Sequence, residues 1–367
     1  MNIVINTTSL SNNKDSGNSD FINDCLLKII QNQPEHSFFI ITGVAGAKFF
    51  FGRNTTIIAA PKFKNILFVK YWYAYRLPFI LKKYSATLFV NYEGICSLRS
   101  KVPQCIMVQQ LQNFEPGKFI KIDKIAFLQK AELIITFGQT IKNIVCTKYN
   151  IETNKVAVIN TSASELYLPA NEAAKETTKE KYTEGKAYFL FSGQISDAGN
   201  LINLLKAYSF FKKRLQSNMQ LVITTNFILP GDTFIKSLQS YKYKDEVNLL
   251  VGLLQSEVIK ITAAAYAFVY VTKQDSIYRP LLQAMQCEVP VITNNTILMN
   301  EICADAALFT TPEDFKNIAD KMMHLFKDEA SRNVLIENGK QRAAQFTLDV
   351  ASNMLWLNMV KCAGTTP

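Results

Sequence analysis

The feature that most limits what this chain can fold into is a rhythm. Short runs rich in β-branched and aromatic residues alternate with longer amphipathic runs, and the alternation stops once and restarts. In the first half the strand-like runs are 2–6, 37–42, 55–59, 87–91, 104–108, 133–136 and 155–159, with helical patterns at 20–33, 67–84, 118–130 and 139–149. In the second half, strand-like runs at 188–192, 220–224, 248–251, 267–271, 289–293 and 307–309 alternate with helical patterns at 200–215, 232–241, 256–264, 280–287, 312–326, 329–345 and 348–361. The strand runs are apolar at successive positions, as a parallel sheet covered by helices on both faces requires. Residues 170–186 (ANEAAKETTKEKYTEGK) are charged and poor in large apolar side chains, which predicts a solvated linker with some helical character. The expected fold class is α/β: two doubly wound parallel-sheet, Rossmann-like domains facing across a cleft, with ligands at the carboxyl ends of the strands.

Composition narrows the chemistry. With 48% apolar and 19% charged residues in 367, a large core is available and wholesale disorder is excluded. No run approaches the roughly 18 apolar residues of a membrane span. The N-terminal MNIVINTTSL reads as a first strand and not as a signal peptide, so a cytoplasmic protein is expected. The seven cysteines (Cys25, Cys96, Cys105, Cys146, Cys287, Cys303, Cys362) form no C-x-x-C pair and read as buried free thiols of a reducing compartment. With only His36 and His324, a histidine metal site or a Ser-His-Asp triad lacks raw material, and no D-x-D pair is present to hold a metal–diphosphate. Neither G-x-G-x-x-G nor a P-loop occurs among the 14 glycines.

The net charge of +10 is confined to one half: residues 1–160 carry 19 Lys+Arg against 9 Asp+Glu, and residues 161–367 carry 21 of each. Positions 36–92 hold eight cations (Lys48, Arg53, Lys62, Lys64, Lys70, Arg76, Lys82, Lys83) and no carboxylate. Within 62–83 these are interleaved with Phe68, Tyr71, Trp72, Tyr73 and Tyr75. That composition suits a membrane interface or an anionic sugar-lipid, and equally one amphipathic helix with a solvated cationic face. Nucleic acid is not the expected partner.

Three segments in order carry a family resemblance: YFLFSGQISDAGNLINLLKAYSFFKK, DSIYRPLLQAMQCEVPVITNN and MNEICADAALFTTPEDFKNIADKMMHLFKD. Together, over about 187–361, they resemble the donor domain of GT-B glycosyltransferases of the family-4 (group 1) type, and KAELIITFGQTIKNIVCTKYNIETNKVAVIN resembles the end of that family's acceptor domain. The resemblance implies an acceptor-side domain at 1–165, a linker at 166–186, a nucleotide-sugar donor domain at 187–346 and a C-terminal helix, 347–367, crossing back to the first domain. It also implies retaining transfer from a nucleotide-sugar to a glycan, lipid or small acceptor, with no metal and no other cofactor.

The departures from the family pattern fall on the functional positions. The strand-end Gly-Arg is Gly193-Gln194, and the Lys-Asn that grips diphosphate with it is Gly199-Asn200. The acidic pair is Asp275 and Gln283; Ser276 and Tyr278 replace backbone glycines, and Arg279 stands where Leu is usual. The family's His-Asp after a first-domain strand aligns with Gln109-Gln110. Asp275 is thus the expected catalytic carboxylate. The expected donor-side residues are Gly193, Gln194, Asn200, Leu254, Lys273, Ser276, Ile277, Tyr278, Arg279 and Gln283, and the acceptor-side ones Gln109, Gln110 and Gly17. Lys273 and Arg279 are the candidate replacements for the lost diphosphate cations, with ion pairing to Asp275 the alternative for Arg279. Asn200 also suits a helix N-cap. Three readings stay open: a glycosyltransferase with an unusual donor site, a GT-B-fold binding or partner protein without turnover, and an anionic-surface binder at a membrane's inner face or on nucleic acid.

Overall fold

The computed structural model describes residues 1–8, 17–43, 52–60, 66–108, 124–195, 200–228, 232–273 and 279–364. Two compact units result, one formed by Met1–Thr161 with Leu348–Pro367, the other by Ser162–Thr347.

The first unit is built on a seven-stranded sheet of β1 (Asn2–Asn6), β2 (Ser37–Thr42), β3 (Thr55–Ala59), β4 (Leu88–Asn91), β5 (Gln104–Val108), β6 (Leu133–Thr136) and β7 (Val156–Val158), in the order β3-β2-β1-β4-β5-β6-β7. Every neighbouring pair is parallel. Alternation along β1, β2 and β4 sorts the side chains to two buried faces. Ile3, Ile5, Phe38, Ile40, Leu88 and Val90 share a core with Phe21, Leu26, Leu355 and Met359 from the helices Gly17–Asn32 and Leu348–Cys362. Val4, Ile41 and Phe89 meet Trp72, Tyr73, Leu77, Ile80 and Leu81 on the other face. The C-terminal helix Leu348–Cys362 is therefore part of this unit, pinned by Lys28 Nζ to Asp349 Oδ1 at 2.7 Å and by Trp356 against the His36 ring at 5.0 Å.

The run 66–83 departs from a uniform helix. An α-helix over Ile66–Tyr71 passes through a π turn, Trp72–Arg76, into a second α-helix, Leu77–Lys83. Pro78 explains the interruption, since it has no N–H to give the preceding turn and its ring crowds the carbonyl four residues back. In its place the Leu77 N–H reaches back to the Trp72 carbonyl. The wider turn buries Trp72 and Tyr73 and leaves Leu67, Phe68, Tyr71, Tyr75 and Phe79 between 52% and 70% exposed.

The second unit holds β8 (Tyr188–Ser192), β9 (Gln220–Thr225), β10 (Val247–Val251), β11 (Ala267–Tyr270), β12 (Val291–Asn294) and β13 (Ala307–Thr310) in the order β10-β9-β8-β11-β12-β13, again all parallel. The segment expected as a linker with some helical character contains the helix Glu172–Thr183, and the change of unit falls ahead of it, at Thr161–Ser162. That helix is polar because it is held by local charge rather than a broad apolar face. Asn171 caps it by accepting from Ala174 N at 2.9 Å, and Lys175–Glu172 and Lys179–Glu176 pair one turn apart at 2.8 Å each. Glu257 then fastens it to the unit, accepting from Tyr182 and Lys181 at 2.6 Å each.

Candidate active site at the switch point of the second sheet

In a doubly wound sheet, the two neighbouring strands whose connections leave in opposite directions open a crevice at their carboxyl ends. In the second unit these strands are β8 and β11, paired through Ala267 with Phe189 and Phe268 with Leu190. Gly193 and Gln194 follow β8, and Lys273 follows β11, so the two chain segments emerge side by side at this edge. Leu254, 75% exposed, precedes the helix Gln255–Ala263 after β10 at the same edge. Arg279 and Gln283 lie on the helix Arg279–Gln286, between β11 and β12.

Gly193 is set by packing. A Cβ there would come within 3.3–3.5 Å of the Phe191 and Tyr270 rings, which stack at 5.7 Å. Its N–H donates to the Thr224 carbonyl at 3.0 Å, holding the exit of β8 against β9. Gln194 and Lys273 are exposed, and Lys273 makes no hydrogen bond or ion pair among the described residues. Arg279, in contrast, is 4% exposed, and its Nε donates to the Ser162 carbonyl at 3.0 Å. Of the two candidate replacement cations, Lys273 is the one presented to solvent, while Arg279 anchors the segment where the second unit begins.

Asn200 occupies the N-cap position of the helix Leu201–Leu215, but its side chain does not cap. The residue is left-handed (φ 56°), a region Asn tolerates, and its Nδ2 donates to the Pro312 carbonyl at 2.6 Å while Oδ1 accepts from Asn203 at 3.0 Å. The N-cap expectation is corrected to a bracket that ties the start of this helix to the loop after β13. Gln283 is half-buried. Gly17 is the first residue of the helix Gly17–Asn32, which follows β1. Asp275, Ser276, Ile277, Tyr278, Gly199, Gln109 and Gln110 lie outside the described residues.

Two features went unread in the sequence. Thr293 Oγ1 donates to the Tyr270 carbonyl at 3.0 Å and Asn294 Nδ2 donates to the Thr272 carbonyl, so the end of β12 holds the exit of β11 in place ahead of Lys273. Thr224 Oγ1, near the end of β9, is buried without a hydrogen-bond partner among the described residues. Polar residues closing a strand are the only signal for either. The thiols read as expected in one respect: none of the seven is in a disulfide and all but Cys146 are buried, with burial pushing Cys96, Cys287 and Cys303 up to about 12. Among the described residues no group of three His, Cys, Asp or Glu comes together, and no helix is long and apolar enough to cross a membrane.

Two parallel, doubly wound sheets in tandem, with the terminal helix returned to the first, are the GT-B arrangement of glycosyltransferases. The fold is shared with a glycosyltransferase from Rickettsia africae (TM-score 0.79, 13% identity, covering 100% of this chain and 99% of that one). It is also shared with HepE of Anabaena in complex with UDP (TM-score 0.76, 11% identity, 98% and 99% covered). Residues 173–342 match the family model described as Glycosyl transferases group 1. In sequence it is similar to O-antigen chain mannosyltransferase B of Escherichia coli, 23% identical over 221 residues. That match spans 60% of this chain and 58% of the relative's own length.

Proposed function

We propose that this protein transfers a sugar, mannose being the first choice, from a nucleotide-diphosphate donor to a hydroxyl of a glycan or lipid-linked acceptor, with retention and without a metal at the diphosphate. The observation that carries this reading is the second sheet's switch point, where Gly193, Gln194 and Lys273 emerge together within the segment that matches the group 1 family. The sugar is suggested by the relative's name and the nucleotide class by the neighbour bound to UDP. As the bond to the sugar breaks, negative charge accumulates on the departing diphosphate, and fixed positive charge there lowers the barrier. Lys273 supplies that charge where the family uses Arg and Lys, Gln194 offers an amide donor, and Asp275 is the carboxylate beside the sugar. Leu254 gives the nucleoside an apolar surface, and Gln283 meets ribose hydroxyls.

The protein works in the cytoplasm, at the membrane's inner face. The exposed row Leu67, Phe68, Tyr71, Tyr75 and Phe79, flanked by Lys70, Arg76, Lys82 and Lys83, matches an anionic lipid surface in both polarity and charge. Calorimetric titration with UDP, GDP, UDP-glucose and GDP-mannose tests the donor reading. One nucleotide should bind, and Lys273→Ala should weaken it about tenfold, the low end for a charge-assisted contact at an exposed site. If no nucleotide binds, or Lys273→Ala changes nothing, the donor site is elsewhere or silent.

A further inference from the structure

The first sheet has its own switch point, between β1 and β4, and the sequence closes it with polar residues. Asn6 ends β1 and Asn91 ends β4, and the two are direct partners in the ladder. Both are buried, as are Thr8 and Tyr73. Asn6 Nδ2 donates to Tyr73 Oη at 3.0 Å and to Asn91 Oδ1 at 3.3 Å, and Asn91 Nδ2 donates to Tyr73 Oη at 3.0 Å. Thr8 Oγ1 lies 2.7 Å from Asn6 Oδ1, and Glu93 N donates to Asn91 Oδ1 at 3.1 Å. The network ends on the Glu93 carboxylate. Thr8 Oγ1 lies 3.0 Å from Oε1, and Tyr73 Oη donates to Oε2 at 3.3 Å. Burial, then the charge of Glu93, pushes the Tyr73 phenol well up, so it remains a donor.

Glu93 is unusual in its company. It is the only carboxylate in residues 36–114, a stretch with ten Lys and Arg, yet among the described residues it pairs with none of them. A carboxylate whose task was to neutralise the local charge would make an ion pair. This one is half-buried, with one hydroxyl to each oxygen, and about four lone-pair sites leave room for two further donors. Burying four polar side chains and half of a fifth at one edge costs stability unless each is satisfied, and the satisfied arrangement fixes the direction of the last member.

We propose that Glu93 is an acceptor-binding residue: its carboxylate, aimed by Thr8 and Tyr73, accepts from hydroxyls of an uncharged sugar ring at the first unit's switch point and disfavours a ring carrying phosphate or carboxylate. The inference rests on the glycosyltransferase reading and adds the charge class of the acceptor. Phosphate oxygens offer a carboxylate no donor and add like charge, and an ammonium group is disfavoured by the surrounding excess of cations.

The test uses the full chain and saturation-transfer NMR. The probes are methyl α-D-mannoside, methyl α-D-glucoside and methyl α-D-galactoside, with mannose 6-phosphate, glucose 6-phosphate and galactose 6-phosphate as the charged arms. At least one methyl glycoside should bind, its charged counterpart at least tenfold more weakly. Glu93→Gln, which keeps the shape and an unchanged melting temperature, should weaken the neutral ligand about tenfold and narrow the gap to the charged one. Tyr73→Phe, which loosens one of the two hydroxyls aiming the carboxylate, should weaken it severalfold and serves if Glu93→Gln does not fold. Absence of binding by every methyl glycoside overturns the proposal. So does unchanged binding in both variants, or a preference for the phosphorylated sugar. UDP and GDP titrations on the unmodified chain keep the two readings apart. Absence of nucleotide binding alone removes the donor site and leaves Glu93 standing, whereas absence of glycoside binding alone does the reverse.

Discussion

Asn200 lets the local physics of the donor edge be measured. The residue combines a left-handed backbone with two side-chain hydrogen bonds, to the Pro312 carbonyl at 2.6 Å and from Asn203 at 3.0 Å. Replacing it by Gly removes the side chain and keeps the backbone at ease. The Pro312 carbonyl is still served by Asn203 Nδ2 at 3.1 Å, so no buried acceptor is orphaned and the cost should be about 1 kcal/mol. Replacing it by Ala loses the same bonds and adds a left-handed penalty of about 1–2 kcal/mol, for a total of about 2–3 kcal/mol. At roughly 2–4 °C per kcal/mol for a unit of this size, the melting temperature should fall by about 3 °C for Asn200→Gly and about 6–9 °C for Asn200→Ala. Scanning calorimetry on the full-length protein reads both values. Equal losses in the two variants, or a larger one for Gly, would refute the claim that backbone conformation selects this residue.

Two other expectations are simpler to check. Hydrogen bonds from Lys181, then Lys260 and Tyr182, hold the Glu257 carboxyl down at about 2, against an ordinary value of 4.5. The stabilisation this carries is complete above the ordinary value and disappears as pH falls from there toward 2, so the difference in urea midpoint between wild type and Glu257→Gln should shrink across that window. A difference that persists unchanged at pH 2.5 would show that charge is not its source. The exposed face of residues 66–83 should bind anionic vesicles at low salt, with a steep loss above about 0.15 M as screening shortens to about 8 Å. Phe68→Ser with Phe79→Ser should weaken retention at any salt, and Lys82→Gln with Lys83→Gln should weaken it at low salt only; a flat response to both pairs would assign this face to solubility.

Most strand positions were legible because each strand carries its own signal: β2, β5, β6 and β8 are short, mostly apolar runs, SFFIIT, QCIMV, LIIT and YFLFS. The helix Glu172–Thr183 was not legible as part of a domain, because its fastening to Glu257 joins residues 75 and 76 positions apart. The same limit hid the roles of Arg279 and Asn200. Their residue types suggested a phosphate cation and a cap, and the carbonyls that claim them, Ser162 and Pro312, lie 117 and 112 positions away. Glu93 escaped notice for a related reason. A single acid in a basic stretch acquires meaning only when β1 and β4 bring Asn6 and Asn91 face to face.

The π turn at Trp72–Arg76 contains one residue more than the α turn it replaces, and that extra residue works as a phase lock. Across it, Leu67 and Tyr71 before the turn, Tyr75 within it and Phe79 after it keep a strict four-residue interval on the outside, while Tyr73 points its hydroxyl at Glu93 on the inside. Deleting any one residue of the turn would rotate everything on one side of it by about 100° relative to the other. The outer row would break at its midpoint in the same event that swung Tyr73 from its partners. Within this segment, change by substitution is open at each outer position separately, whereas change in length alters the surface row and the inner network together.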